Sequence, residues 1–451
     1  MNNIKISNVL NSLPLIFEKN IGQHDEKIQF ALNKKECTTF FNDNEIILSF
    51  RSNEKIQELK ELENSLILNE EDKKYSKYGI NILRVSFENG NKSPQIIGKN
   101  EFNCRLNYFK GENSLNWKCS IPLYEKLLYK EIYKGIDILY YESEGTIKWE
   151  FQVSSKKSLD KILLNFQGAN NIYLDEEGNI NINIKENILK ILNPRVTQED
   201  GSCEVTGNFE INEEGKVKFC IQNYENEKNL KITLPIVFEK FNSTFVVDRG
   251  NSIAVDENKC IYITGEIGGQ KYPNKKPHKN ILEAKDYSAF LVKIDSSKKG
   301  QSALKYAAYI GGEKNDEGVG IAVDDEENAY IVGSTNSEYE FPITEKSYAS
   351  NYPGGNSTGF LIKIDTSKVG LNSFIYGTYL GGNLYDYAYS VAIDKNKNVY
   401  VCGLTNSSLG FPITENGYKK FNCESVDVGF LLKLDISKKG KEALLYGTYF
   451  G

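Results

Sequence analysis

The chain has 451 residues, 40% of them hydrophobic and 26% charged, which is enough soluble sequence for two or more cored domains. Its formal net charge of −6 gives no general attraction to nucleic acid or anionic membrane. No apolar run approaches the roughly 18–20 residues that cross a bilayer as a helix. Histidine-based nucleophilic catalysis and His-rich metal sites would have to rest on His24 or His278, whereas carboxylate chemistry such as glycoside hydrolysis needs paired Asp or Glu alone.

Residues 1–16 mix Asn, Lys and Ser with scattered aliphatics and lack the basic and continuous apolar regions of a secretory signal. Residues 1–235 read as a β-rich, sandwich-like domain. Glu45–Phe50, Ile136–Tyr141, Trp149–Val153 and Asn179–Ile184 alternate or carry β-formers. The run Asp175-Glu-Glu-Gly178-Asn179 reads as a hairpin turn after Asn171–Leu174. A stretch near 53–78, dense in Glu and Lys with Leu at near-helical spacing, reads as a charged surface insertion, helical or mobile. The eight cysteines form no C-x-x-C pair and read as mostly free, buried thiols.

From residue 236 the chain repeats. Ile253-Ala-Val-Asp256 returns 68 residues later as Ile321-Ala-Val-Asp324 and 70 after that as Val391-Ala-Ile-Asp394. Leu291-Val-Lys-Ile-Asp295 returns at Leu361 and Leu431, and Tyr306-Ala-Ala-Tyr-Ile-Gly311 at Tyr376 and Tyr446. Each period reads as four strands: a (Gly320–Val323, apolar enough for burial on both faces), b (Ala329–Val332), c (Phe360–Ile364) and d (Phe374–Leu380). Four antiparallel strands with the most apolar first describe a propeller blade whose strand a lines the channel. The expected blades are about 246–312, 313–382 and 383–451, preceded by a closing strand at 236–245 in which Phe238 and Phe241 stand where Tyr306 and Tyr309 stand in the repeat. Three blades are too few for a closed ring, so the fold class is all-β with an incomplete propeller whose open edges invite self-association.

The repeats resemble the SBBP family of bacterial seven-bladed β-propeller repeats. The residues that carry this are Gly320-Ile-Ala-Val-Asp324, Asn328-Ala-Tyr-Ile-Val-Gly333, Phe341-Pro-Ile-Thr344, Gly359–Asp365 and Tyr376-Gly-Thr-Tyr-Leu-Gly-Gly382. The first half is similar to the uncharacterised domain that often precedes such repeats, through Phe17-Glu-Lys-Asn20 with Gly22-Gln23, Asn107-Tyr-Phe109 with Gly111, and Tyr133–Asp137 with Tyr140-Tyr141. The resemblance implies a secreted or cell-surface protein and carries over no catalytic residue; a cytoplasmic chain is the alternative. Blade 1 departs from the repeat, with Cys260 where the turn Asn belongs and Tyr272-Pro273 in place of Phe-Pro.

In such a blade the b–c and d–a connections share one face. The b–c connections, about Thr335–Thr358 and Thr405–Val428, are far longer than hairpin loops. Thr335, Asn336, Ser337, Tyr339, Tyr385, Thr405, Asn406 and Ser407 are therefore ligand-contact candidates, with cappers of the turns as the structural alternative. Asp248, Asp316 and Asp386 each stand five residues before the repeated Ile or Val of strand a. They form either an acidic ring at the channel mouth, able to hold calcium through its preference for oxygen ligands, or a set of carboxylates pinning loop backbone. No other cofactor is implied. The expected function is non-catalytic binding of a protein or glycan, or scaffolding, with a carboxylate-based glycan hydrolase and an intracellular interaction scaffold as alternatives.

Overall fold

The computed structural model describes residues 16–34, 37–43, 45–51, 80–143, 146–154, 159–185, 187–198, 204–225, 227–239, 249–268, 287–422 and 427–451. The charged stretch near 53–78, Phe241, Asp248, Tyr272, Pro273, His278, Cys203 and Cys423 lie outside these residues. Among the described residues regular structure is all-β, relieved by short 3-10 turns.

The first half is a large, nearly closed antiparallel sheet. Its strands alternate, so one side chain in two enters a core containing Phe17, Phe41, Tyr140, Trp149, Phe151 and Ile232. Edge-on aromatic contacts chain through it: Phe17–Phe41 at 5.6 Å, Phe41–Tyr140 at 5.5 Å and Tyr140–Trp149 at 5.8 Å between ring centroids. The hairpin expected around Asp175 is present, with Asn171–Leu174 paired to Ile180–Ile184. Asp175 caps it by accepting from the backbone N–H groups of Glu177 and Asn179.

The expected closing strand belongs here instead. Ile236–Glu239 ends the strand Leu230–Glu239, which pairs with Thr146–Val153 on one side and with Asn187–Ile191 on the other. Ile236 is buried in the domain core. The apolar alternation that resembled a strand d is satisfied by this nearer partner, so these residues contribute nothing to a blade.

Each repeat folds as anticipated into four antiparallel strands: 249–255, 260–268, 287–295 and 304–311, then 316–323, 328–335, 358–365 and 374–380, then 386–393, 399–405, 428–434 and 444–450. A shared core joins blades 1 and 2 through Tyr262, Leu291, Tyr306, Ile331, Phe360 and Ile362. A second joins blades 2 and 3 through Tyr330, Val332, Leu361, Val401, Phe430 and Leu432. Burial of strand a differs between blades: Ile321 of blade 2 is buried and Val323 packs partly buried against the same core, whereas Ile253 and Val255 of blade 1 are more than half exposed.

The two halves are welded. Two 16-residue strands, Gln95–Lys110 and Lys118–Tyr133, form an arm that reaches from the first domain. Near its tip, Leu106–Lys110 pairs in parallel with Ala307–Gly311, strand d of blade 1. Tyr108 lies on Tyr309 at 5.0 Å, Asn107 Nδ2 donates to the Ala307 carbonyl at 3.3 Å, and Gly111 N–H donates to the Glu340 carbonyl of blade 2. In blades 2 and 3 the same outer edge is covered by the blade's own b–c connection. Tyr379 N–H bonds the Ala349 carbonyl, and Tyr449 N–H bonds the Lys419 carbonyl. The arm of the first domain therefore covers, in blade 1, the strand-d edge that blades 2 and 3 cover with their own b–c connections.

Candidate functional site

The loop face carrying the candidates is built on two repeated clips. Strand a of blade 2 begins at Asp316, whose carboxylate turns back into the loop. Its Oδ1 accepts from Thr335 Oγ1 at 2.5 Å and Ser337 Oγ at 3.0 Å, and its Oδ2 from Gly312 N–H at 2.8 Å. Blade 3 has the same clip on Asp386, with Thr405 Oγ1 donating to Oδ1 at 2.5 Å and Ser407 Oγ and Gly382 N–H donating to Oδ2 at 3.2 and 2.7 Å. Hydroxyl and amide donors are what a buried carboxylate requires. The preceding glycine is also required, since a Cβ on Gly311 would lie 2.3 Å from Asp316 Oδ2 and one on Gly381 would lie 2.5 Å from Asp386 Oδ2. Burial pushes the Asp316 carboxyl up to about 7 against the lowering effect of its donors, and raises Asp386 in the same way.

This geometry corrects the site expectations. Asp316 and Asp386 are fully buried and do not open onto a channel mouth. Asp248 lies outside the described residues, among which no three His, Cys, Asp or Glu gather to hold a metal ion. Thr335, Ser337, Thr405 and Ser407 are likewise fully buried and cannot reach a ligand, because their hydroxyls serve the two carboxylates. Asn336 and Asn406 are half-buried connectors: the first donates to the Asn356 carbonyl, the second accepts from Tyr385 N–H at 2.8 Å. Tyr339 and Tyr385 are the exposed members of the set.

The Phe-Pro-Ile-Thr segments are structural too. Phe341 is buried against Phe360 and Tyr379 at 5.1 and 5.5 Å, and Phe411 against Phe430 and Tyr449 at 5.0 and 5.5 Å. Tyr379 and Tyr449 donate their hydroxyls to the carbonyls of Ser337 and Ser407, fixing each connection to its blade. Blades 2 and 3 are tied across this face, since Asp386 N–H bonds the Ser357 carbonyl and Asn356 Nδ2 bonds the Tyr385 hydroxyl at 2.7 Å. The result is a floor tied by these hydrogen bonds, on which Tyr339, Tyr385 and Leu409 are exposed. Leu409 holds in blade 3 the place of Tyr339 in blade 2, so the exposed positions differ between blades where the buried ones repeat.

Residues 17–233 match the profile of a domain of unknown function, DUF7948, and residues 305–342 and 375–410 match that of the SBBP β-propeller repeat. The chain carries SBBP repeats behind a DUF7948 domain. No curated protein matches it. Among solved structures, an extracellular domain from B. thetaiotaomicron is 9% identical with a TM-score of 0.13; the likeness covers 96% of this chain and 60% of that one, and carries no argument.

The structure gives the DUF7948 motifs a joint role that their separate positions in the sequence did not reveal. Asn20 shapes the turn after the first strand, accepting from Gly22 and His24 N–H and donating to the Asp25 and Ile28 carbonyls. Its neighbour Glu18 is buried and accepts from Tyr108 Oη at 2.6 Å and from Asn33 Nδ2 at 3.1 Å. Burial pushes the Glu18 carboxyl up to about 7, against the lowering effect of these two bonds. Through Tyr108 the first motif meets the second, and through Tyr309 both meet the SBBP repeat.

Proposed function

We propose that this SBBP-repeat protein is a non-catalytic binding module that presents a rigid loop face to a protein or glycan, and that it works at the cell surface. The observation that carries the reading is the division of labour on that face. Its repeated polar residues are consumed by buried clips, while the exposed, blade-specific Tyr339, Tyr385 and Leu409 stand on a floor that needs no ordering on binding. A pre-ordered surface loses little conformational entropy on association, and tyrosine offers both an apolar face and a hydroxyl. The surface location follows from the family resemblance.

A glycan array and a panel of extracellular proteins probed with the chain test this. Binding is expected without turnover of any glycan, and the double variant Tyr339→Ala, Leu409→Ala should weaken it strongly with little change in stability, since both side chains are largely exposed. Hydrolysis of a bound glycan would refute the non-catalytic reading. Recovery of the native chain solely from the cytosolic fraction would refute the surface location.

A further inference from the structure

We propose that blade 1 closes a covalent cross-link within itself: the Lys293 amine condenses with the Asp256 carboxyl to form an isopeptide bond. Lys293 lies on strand c and Asp256 follows strand a, so the bond ties these two across strand b, which pairs with both. Nζ of Lys293 stands 3.7 Å from Oδ2 of Asp256, and the two side chains are 5% and 4% exposed. Holding an amine beside a carboxyl with water excluded turns a slow bimolecular condensation into a unimolecular one.

The surrounding groups are those the chemistry requires. Glu327 of blade 2 accepts from Nζ at 2.6 Å and is the base for the amine. The Cys260 N–H donates to Oδ1 at 2.8 Å, where charge collects as Nζ adds to Cγ. The Tyr262 hydroxyl donates to Oδ2, the oxygen that leaves, at 3.0 Å. Thr366 Oγ1 stands 3.2 Å from that hydroxyl and 3.4 Å from Nζ, completing a proton path from nitrogen to leaving oxygen. Ammonium and carboxylate react with no net gain or loss of protons. The bond from Nζ to Cγ forms and the bond from Cγ to Oδ2 breaks; one proton stays on the amide nitrogen and two depart with Oδ2 as water. Burial favours the product, which holds a neutral amide in place of two opposite charges. Burial also works against charge on the amine, yet the bond to Glu327 holds its pKa above the ordinary value, so the proton leaves as Glu327 takes it.

The other two blades lack this combination. Asp324 and Asp394 hold the same turns, with the Tyr330 and Tyr400 hydroxyls donating to them. Lys363 and Lys433 lie over those tyrosine rings at 5.0 and 5.1 Å, and neither forms an ion pair among the described residues. The place of Glu327 is held in blade 3 by Lys397, which turns to Asp324 at 3.3 Å.

Intact-mass spectrometry of the purified full chain, before and after long incubation, tests the bond. The expected mass is that of the sequence less one water, with a tryptic fragment joining the segments that carry Asp256 and Lys293. Lys293→Arg, which keeps the ion pair, and Glu327→Gln should each show the full mass of their own sequences, whereas Lys363→Arg should still show the loss. A wild-type chain that keeps its full mass after incubation contains an ion pair only, and overturns the proposal. So does a water lost at any other pair of residues, or a cross-link that forms undiminished in Glu327→Gln.

Discussion

Replacing Asp386 with alanine tests whether the clip carboxylates are structural. The side chain is fully buried and accepts from Thr405, Ser407 and Gly382. The Gly382 N–H is fixed by the backbone and would be left unpaired, at a cost of about 1–3 kcal/mol. The two hydroxyls can rotate but lose a charged acceptor, about 1 kcal/mol each. Together the loss should be about 3–5 kcal/mol, seen as a lower urea midpoint and as faster hydrogen exchange concentrated in Asp386–Ile393 and Val399–Thr405. Asp386→Asn keeps an oxygen for Gly382 and should lose about 1 kcal/mol. A D386A protein within about 1 kcal/mol of wild type would refute the reasoning, because no buried donor would then depend on the carboxylate. A wild-type midpoint that rises with millimolar calcium, in a chain whose D386A variant shows no such rise, would show that the residue serves a cation.

Glu18 gives a pH signature. Its folded pKa of about 7 stands above the ordinary 4.5, so the native state holds the proton more tightly. Its stabilising effect is complete below pH 4.5 and is lost as pH rises through 7, by about 3 kcal/mol. Glu18→Gln should flatten the fall in stability between pH 5 and pH 8 by that amount, and an unchanged pH slope in urea titrations would refute it. Phe341→Ala should lower stability by about 3–5 kcal/mol, since a fully buried ring is lost from a packed cluster; a calorimetric shift equivalent to under about 1 kcal/mol would mean the connection is not anchored there. The outward face of blade 3 leaves Phe450 46% and Tyr418 86% exposed, where the equivalent Leu380 and Tyr348 of blade 2 pack against blade 3. Sedimentation velocity should therefore show concentration-dependent self-association, relieved by Phe450→Lys with Tyr418→Ser; a wild-type monomer at high concentration would refute it.

The sequence by itself determined the blades. Each is a run of antiparallel hairpins between neighbouring segments, so its ladder, turns and alternation are all written within one period. The turn Asp324–Asn328, the strand Phe374–Leu380 and the Phe341 anchor could be read from residue order because their partners recur at fixed spacing. Residue type could not say which polar groups are buried. Thr335, Ser337 and Asp316 have the chemistry of a surface site until the fold closes over them and makes each the partner of the others. Nor could it place Ile236–Glu239, whose alternation suits a blade edge and a domain core equally well; the choice fell to the complementary strand at Asn187–Ile191. The joint between the halves was the least legible part. Leu106 pairs with Ala307 across some two hundred residues of chain, and parallel pairing at that distance leaves no periodic trace in either segment. Only tertiary structure brings the DUF7948 arm to the edge that blade 1 leaves for it, because what selects that contact is shape and hydrogen-bond complementarity between surfaces formed by separate parts of the chain.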